Sequence, residues 1–418
     1  MTIGISSALR PPTFARVHLA LAALGFLLAG CAPNLPPPQA PSQQQPAPAA
    51  TPTPTVGPNL TLPAPSSEAK VALLLPLSGQ NAAIGRTLLQ AAEMGVFDAA
   101  GDDFSLIVRD SAAPGGPGAA VGSALQEGAK LVLGPVFSTE IASAAQAAGS
   151  LVPVISFSND RTAARPGVFV LGLAPQAQVE RVVGYAASQQ VKRFAILYPN
   201  SAYGNAVRQA YQDSVVQVGG QVATMQAYDS GATDFIATLQ ALSGSYKTSG
   251  FDALMIPEGG PKLRTVASML SGFDIPMAGP GGGPTPAGAV RLLGTSLWND
   301  PSLAREHVLS GGWFASTPPD RWTAFAQRYQ EIYGAAPDPR AGVVYDAVTL
   351  AVALSKSKQG GDFSLTRLTD PSGFSGVTGL FRLNADGTTI RGLSVLEIGP
   401  GGITIRDPAP ATFQAAIN

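Results

Sequence analysis

Cysteine and histidine are nearly missing from this sequence of 418 residues, which contains one cysteine, Cys31, and two histidines. A single cysteine excludes an intramolecular disulfide. The shortage of both residue types also excludes the usual zinc clusters and cysteine–histidine catalytic pairs. No Gly-x-Ser-x-Gly motif occurs, and two Ser-x-x-Lys matches, at 67–70 and 355–358, lack the partner motifs of penicillin-binding enzymes. We therefore expect a protein that is not an enzyme and uses no metal and no cofactor.

Charge is also sparse, because charged residues make up 13% of the chain and the formal net charge is −1. This balance gives no electrostatic basis for binding nucleic acid or an anionic membrane surface. The apolar share of 45% is ordinary for a globular protein and is enough for a sizeable core. The length alone indicates two or three domains.

The N-terminal segment has the layout of a secretory signal, with two arginines ahead of an apolar run at 19–28 that is too short to span a bilayer. The run ends in Leu-Ala-Gly-Cys at 28–31, which resembles the lipobox of bacterial lipoproteins. That resemblance implies a signal peptide over residues 1–30 and a lipid on Cys31. Because Ala32 rather than aspartate follows, it also implies sorting to the periplasmic side of the outer membrane. An ordinary signal peptide with a chance cysteine is the alternative.

A proline-rich stretch follows, and residues 32–67 contain 12 prolines and no charged residue. Such a composition cannot bury apolar surface and predicts a disordered tether with polyproline II character. We assign residues 31–67 to the lipidated cysteine and this tether. Its reach lies between ~35 Å as a flexible coil and ~110 Å fully extended.

A strand–loop–helix unit opens the rest of the chain. Apolar residues 71–75 predict a strand buried on both faces, and the apolar spacing from Ile84 to Phe97 predicts an amphipathic helix. The same pattern predicts further strands at 104–108, 131–133, 152–155, 194–198, 222–225, 253–256 and 291–293, and helices at 119–128, 138–148, 205–219, 235–242, 262–270, 321–333 and 343–355. Ser138 or Thr139 would cap the helix at 138–148.

The C-terminal region alternates apolar and polar residues at 379–383 and 393–398, which predicts a hairpin joined through the turn residues Asp386 and Gly387. Two successive runs of about four units predict an α/β fold of two doubly wound lobes. Ligands bind such sheets at the carboxyl ends of the strands, so we expect a cleft between the lobes.

Several of these segments resemble a known family. Residues 73–79, 131–135 and 198–204 are similar to the type I periplasmic binding proteins, in particular the leucine/isoleucine/valine-binding proteins. Residues 293–298 and 376–379, with the turn at 384–387, resemble the penicillin-binding protein activator lipoproteins, a branch of the same fold. The resemblance covers most of the chain after residue 70.

The resemblance implies a domain arrangement with three crossovers between the lobes. Lobe one would take residues 68–188 and 318–363, and lobe two would take residues 189–310 and 376–406.

The resemblance also implies a ligand site. In the amino-acid-binding relatives the matching positions hold the charged ends of the ligand, and here they are Ser138, Ser158 with Asn159, and Tyr203. Glu258 is the nearest candidate for pairing with a ligand ammonium. Hydroxyls and backbone N–H groups at helix N-termini can hold a carboxylate without a buried cation. The structural alternatives are a plain helix cap for Ser138 and a packing residue for Tyr203.

Two functions from different classes remain open. The first is an activator or regulator of a peptidoglycan synthase, a penicillin-binding protein, acting from the outer membrane. The second is the substrate-binding lipoprotein of an ABC transporter for amino acids or similar small solutes. The long tether and the implied outer-membrane sorting favour the activator, because a transporter receptor must reach a permease in the inner membrane.

Overall fold

The computed structural model describes residues 68–281 and 287–413. The predicted signal peptide, the predicted lipidation site at Cys31 and the predicted tether lie outside these residues. The described chain is an α/β fold of two lobes, each built on a sheet that is mostly or wholly parallel.

The strands are β1 (Ala69–Leu75), β2 (Phe104–Asp110), β3 (Val132–Leu133), β4 (Val154–Ser156), β5 (Val168–Val170), β6 (Arg193–Asn200), β7 (Gln221–Asp229), β8 (Ala253–Met255), β9 (Arg291–Gly294), β10 (Trp313–Ser316), β11 (Phe374–Gly376), β12 (Gly379–Leu383), β13 (Thr389–Arg391), β14 (Ser394–Gly399) and β15 (Gly402–Asp407). The α-helices are α1 (Ala82–Ala99), α2 (Gly116–Gln126), α3 (Ser138–Ala148), α4 (Pro175–Ser188), α5 (Ala202–Gln217), α6 (Ile236–Ser249), α7 (Gly260–Leu270), α8 (Pro319–Tyr333), α9 (Ala341–Ser355) and α10 (Leu365–Leu368).

The first lobe is built on a parallel sheet with the strand order β2-β1-β3-β4-β5. Its strand β1 is buried on both faces, as the apolar run predicts. Leu73 and its alternate neighbours pack in one core with α1 and α9, whereas Leu74 packs in a second core with α2 and α3. Helices on both faces of a parallel sheet define a doubly wound lobe.

The second lobe is built on a seven-stranded sheet with the order β15-β14-β10-β9-β8-β6-β7. Strands β6 to β10 are parallel, whereas β14 runs antiparallel to β10 and β15 runs antiparallel to β14. Phe194 and Ile196 of β6 face a core with α4 and α5, and Leu197 faces the core with α6 and α7. Trp298 is fully buried in this second core, where its indole Nε1 donates to Ile256 O at 3.1 Å.

The chain passes between the lobes three times, as the resemblance implies. It leaves the first sheet after β5, returns after β10 so that α8 and α9 pack in the core of the first lobe, and leaves again between β13 and β14. The predicted lobe boundaries remain a prediction. In the structure α4 packs on the second sheet, and Phe381 and Leu383 of β12 pack in the core of the first lobe.

The predicted hairpin between 379–383 and 393–398 is wrong. The turn at Asp386 and Gly387 does form, but it joins β12 to the short strand β13, so that Leu383 lies opposite Thr389. Strand β14, which holds most of the second predicted segment, pairs instead with β10 and β15 of the other lobe. The turn residues determine only which strand pairs locally with β12. The chain between β13 and β14, residues 392–393, then leads β14 into the other sheet.

The predicted N-cap of α3 is also wrong. Phe137 occupies the N-cap position with extended backbone, so Ser138 is the first helical residue and its side chain makes no capping hydrogen bond. The sequence pattern also missed strands β5, β10, β11, β13 and β15.

Two glycines hold equivalent places in the two lobes, near the start of the first helix of each parallel run. A Cβ atom on Gly85 would lie 2.0 Å from Pro76 O, and one on Gly204 would lie 1.9 Å from Pro199 O. Each helix therefore packs its backbone directly on a proline carbonyl at the end of the preceding strand, which only glycine permits.

Candidate functional site

A cavity of about 490 Å³ lies at the carboxyl ends of β3, β4 and β5. Its volume falls within the range of small-ligand sites. It is lined by Val136, Phe137, Ser138, Thr139, Phe157, Ser158, Asn159, Gly172, Leu173, Ser296, Pro339, Arg340 and Val343. Most of the lining comes from the first lobe, and Ser296 comes from the turn after β9 of the second lobe.

The first turn of α3 supplies one wall of the cavity, through Ser138 and Thr139. Because the N-cap side chain is that of Phe137, the first backbone N–H groups of α3 receive no side-chain capping bond. The positive end of the helix dipole and the two hydroxyls therefore favour an anionic group at this wall.

The segment after β4 supplies a second wall and is held rigidly. Ser158 N–H donates to Ser156 Oγ at 3.1 Å, and Ser158 Oγ accepts from Asp160 N–H at 3.1 Å. The carbonyl of Ser158 accepts from Gly172 N–H at 3.0 Å, which ties this segment to the one after β5. Ser158 is buried and Asn159 is exposed, so the two neighbours offer the cavity a fixed hydroxyl and a freer amide.

Arg340 supplies the cationic group of the cavity, from the residue that precedes α9. Its Nε and Nη2 donate to the two carboxylate oxygens of Asp338 at 2.8 and 2.7 Å, and its backbone N–H donates to Asp338 Oδ1 at 2.9 Å. Burial raises the pKa of Asp338, but the bonds from Arg340 outweigh burial and the pKa is lowered overall. Asp338 thus stays ionised and orients the guanidinium, while Nη1 takes no part in the pair.

Ser296, the lining residue from the second lobe, is held in place by a hydrogen bond to a buried side-chain amide. Ser296 N–H donates to Oε1 of Gln178 at 2.7 Å, and Gln178 lies in the first half of α4. The neighbouring Thr295 is fully buried, and its hydroxyl lies 2.8 Å from the hydroxyl of Tyr203. Burial raises the pKa of Tyr203 to about 12, so its phenol is neutral at ordinary pH.

Of the five predicted ligand residues, the structure brings three together. Ser138, Ser158 and Asn159 line the cavity. Tyr203 does not, because its hydroxyl meets Thr295, one residue behind the lining Ser296. Glu258 lies outside as well, and its carboxylate accepts from Tyr228 Oη at 2.6 Å and from Gly259 N–H at 3.2 Å. A ligand role for any of the five stays a prediction.

Two polar lining residues, Ser296 and Arg340, were not predicted from the sequence. Arg340 follows the Pro-Asp-Pro segment at 337–339 and precedes the predicted helix at 343–355 by three residues, and this loop-to-helix position was an available signal. Ser296 lies within the segment at 293–298 that carries the family resemblance, but nothing in the pattern distinguishes it from Thr295. Ser296 lies in the chain after the first passage between the lobes and Arg340 after the second, so their placement depends on those two passages.

Within residues 68–281 and 287–413, no cluster of three or more histidine, cysteine, aspartate or glutamate side chains could hold a metal ion. Among the same residues, no helix has both the length and the apolar character that crossing a membrane requires.

Comparison with known sequences gives a family and a distant relative. The sequence model of the family described as "periplasmic binding protein" matches residues 68–402. An uncharacterized protein of Rickettsia prowazekii (strain Madrid E), RP748, is 26% identical over 164 residues, which is 39% of this chain and 44% of that protein. The chain thus matches less than half the length of this curated relative.

Comparison with solved structures agrees on the fold. A branched-chain amino acid ABC transporter periplasmic ligand-binding protein of Burkholderia xenovorans LB400 has a TM-score of 0.62 and 16% identity, over 82% of this chain and 95% of that one. LivJ of Streptococcus pneumoniae, in complex with isoleucine, has a TM-score of 0.55 and 19% identity, over 82% and 100%. An ABC transporter solute-binding protein of R. palustris, in complex with benzoate, has a TM-score of 0.53 and 18% identity, over 84% and 98%. At these identities the likeness concerns the fold alone.

Proposed function

Because this chain belongs to the periplasmic binding protein family, we propose that it is a non-catalytic receptor that binds a small carboxylate-bearing solute in the cleft. One observation carries the proposal. The first turn of α3, with Ser138 and Thr139, and the cationic residue Arg340 line the same cavity. Helix N-terminal N–H groups, hydroxyls and a guanidinium are donors suited to a carboxylate.

The test is calorimetry of the purified protein against a panel of small carboxylates and amino acids. For a bound carboxylate, Ser138→Ala should remove one hydrogen bond to a charged group. That loss costs about 1.5–3 kcal/mol, which is roughly a ten- to hundredfold loss of affinity. Ser143→Ala is the matched control, because Ser143 is exposed on the same helix and does not line the cavity. Equal affinity of both variants and wild type would contradict the proposed site.

A second candidate function concerns the cell envelope: regulation of a penicillin-binding protein by a lipoprotein anchored through Cys31 to the outer membrane. The segment at 28–31 and the 12 prolines of residues 32–67 support it, because a tether of ~110 Å suits a module that extends from that membrane toward the cell wall. The resemblance of 293–298 and 376–379 to activator lipoproteins supports it further. The alternative is a receptor that delivers its solute to an ABC transporter.

Shortening the tether separates these two readings. Deleting residues 36–63 leaves eight tether residues and reduces the maximum reach from ~110 Å to ~25 Å, while the family match from residue 68 onward stays intact. An activator with the short tether should fail to restore resistance to cell-wall antibiotics in a deletion strain. If the short-tether form complements fully and Ser138→Ala fails, the transporter receptor is the function.

A further inference from the structure

The side chains that line the cavity carry charge of one sign only. Of its 13 lining residues only Arg340 is ionisable, and no carboxylate lines the cavity. An α-amino acid carries an ammonium as well as a carboxylate, so a site for amino acids must offer donors to the carboxylate and acceptors to the ammonium. This cavity offers donors to an anion and nothing anionic to a cation.

Two carboxylates that neighbour lining residues in the chain, those of Asp338 and Asp160, are already engaged. Both oxygens of Asp338 accept from Arg340 itself. Asp160, next to the lining Asn159, accepts from Thr162 N–H at 3.0 Å and caps the short turn that follows.

Two further carboxylates belong to the elements around the cleft. Glu140 of α3 faces Ser111, whose hydroxyl lies 3.4 Å from Glu140 Oε1, and burial raises the pKa of this carboxyl. Glu258 of the second lobe has one oxygen bonded to Tyr228 and the other to Gly259. Neither residue lines the cavity.

The rest of the lining is apolar or neutral. Phe137, Phe157, Leu173 and Val343 surround the donors with hydrocarbon surface. An ammonium placed against such surface loses its hydration and gains no counter-charge, which is strongly unfavourable. A hydrocarbon chain or ring in the same place gains from burial.

From this arrangement, and on the basis of the proposed cleft function, we infer that the ligand is a monocarboxylate with an apolar body and no amino group. The carboxylate contacts the first turn of α3 and Nη1 of Arg340, and the body packs on the phenylalanines. The site therefore rejects α-amino acids, and the ammonium is the group it rejects.

Calorimetry with matched pairs of acids tests the inference on the same purified protein. The pairs are 4-methylpentanoate with leucine and 3-phenylpropanoate with phenylalanine, which differ only in the amino group. In at least one pair the acid without the amine should bind tenfold or more tightly than the amino acid. Arg340→Gln should lower the affinity for that acid at least tenfold, while Glu258→Gln should leave this affinity unchanged.

Three results would overturn the inference. Tighter binding of leucine or phenylalanine than of its deaminated partner refutes it and leaves the receptor function standing. Loss of amino-acid affinity in Glu258→Gln refutes it in the same way, because Glu258 would then hold the ammonium. Absence of binding by all four compounds overturns both the inference and the proposed carboxylate receptor.

Discussion

The buried charges Asp346 and Arg391 join the first lobe to the segments that pass between the lobes, and we expect their separation to destabilise the protein. Asp346 of α9 is 1% exposed, and its carboxylate accepts from Val377 N–H at 2.6 Å and Thr378 N–H at 2.9 Å. Arg391 of β13 is 9% exposed, and its Nη1 donates to Thr378 Oγ1 at 3.0 Å. The Thr378 hydroxyl also donates to Asp346, so it links the two charges, and Arg391 Nη2 donates to Leu171 O where the chain leaves the first sheet.

Replacing Arg391 with methionine leaves Asp346 as a buried carboxylate without a counter-charge. Removal of one partner from a buried ion pair costs about 3–5 kcal/mol, and we expect the lower end because these charges meet through a hydroxyl. Arg367→Met is the control, because Arg367 is exposed on α10 and its replacement should change stability by less than about 0.5 kcal/mol.

The loss of stability in Arg391→Met should also depend on pH in a definite direction. Burial raises the pKa of Asp346 and outweighs its hydrogen bonds and the charge of Arg391, which lower it, so that the pKa is about 6 overall. Without Arg391 the pKa rises further, so between the two pKa values the folded variant binds a proton that the wild type does not. The stability deficit should therefore shrink as the pH falls from 8 toward 6, by at most about 1.4 kcal/mol per pH unit.

Urea unfolding of wild type and both variants, at intervals between pH 8 and pH 6, measures these differences. A deficit below about 1 kcal/mol, or one that does not change with pH, would refute the reasoning. Either result would mean that the charge of Asp346 does not depend on Arg391.

Two other predictions concern packing and the anchor. Gly85→Ala should lower the melting temperature, because its Cβ would lie 2.0 Å from Pro76 O, whereas Gly184→Ala in α4, with no atom within 4 Å of its Cβ, should be neutral or raise it. A higher melting temperature for Gly85→Ala would contradict this packing. Cys31→Ala in the full chain should abolish membrane association, measured by fractionation and by the mass of the N-terminal peptide; an unchanged distribution, with no acyl mass on wild type, would refute the lipid anchor.

The parts of the fold that the sequence predicts well are those in which local pattern and tertiary packing agree. Strand β1 carries an unbroken apolar run because both of its faces are covered, and α3 has the predicted bounds of 138–148. The short strands β5 and β13 have three residues each, too few for any periodicity, and β13 replaced the expected partner of β12. Pairing between distant segments, such as β14 with β10, depends on the sheet as a whole and leaves no local signal.

The residues of the candidate site were likewise predictable where their position depends on local sequence, and not where it depends on distant packing. Ser138, Ser158 and Asn159 follow strands of the first sheet, and a strand-end position was enough to bring them to one cavity. Arg340 reaches that cavity only because α9 packs in the core of a lobe whose sheet ended about 170 residues earlier in the chain. Tyr203 is the second residue of α5, shortly after strand β6 of the second lobe, but its hydroxyl meets that of Thr295 instead.

Because the chain passes three times between the lobes, each lobe contains segments that are synthesised late. Strand β14 lies inside the second sheet, between β10 and β15, and Phe381 and Leu383 lie in the core of the first lobe. Neither lobe is complete until nearly the whole described chain has been made. A nascent chain that stops at residue 393 leaves one edge of β10 unpaired, and one that stops at residue 378 also leaves the first core open. A C-terminal truncation that reaches residue 378 should therefore damage both lobes, whereas in a protein with two contiguous domains it would damage only the second.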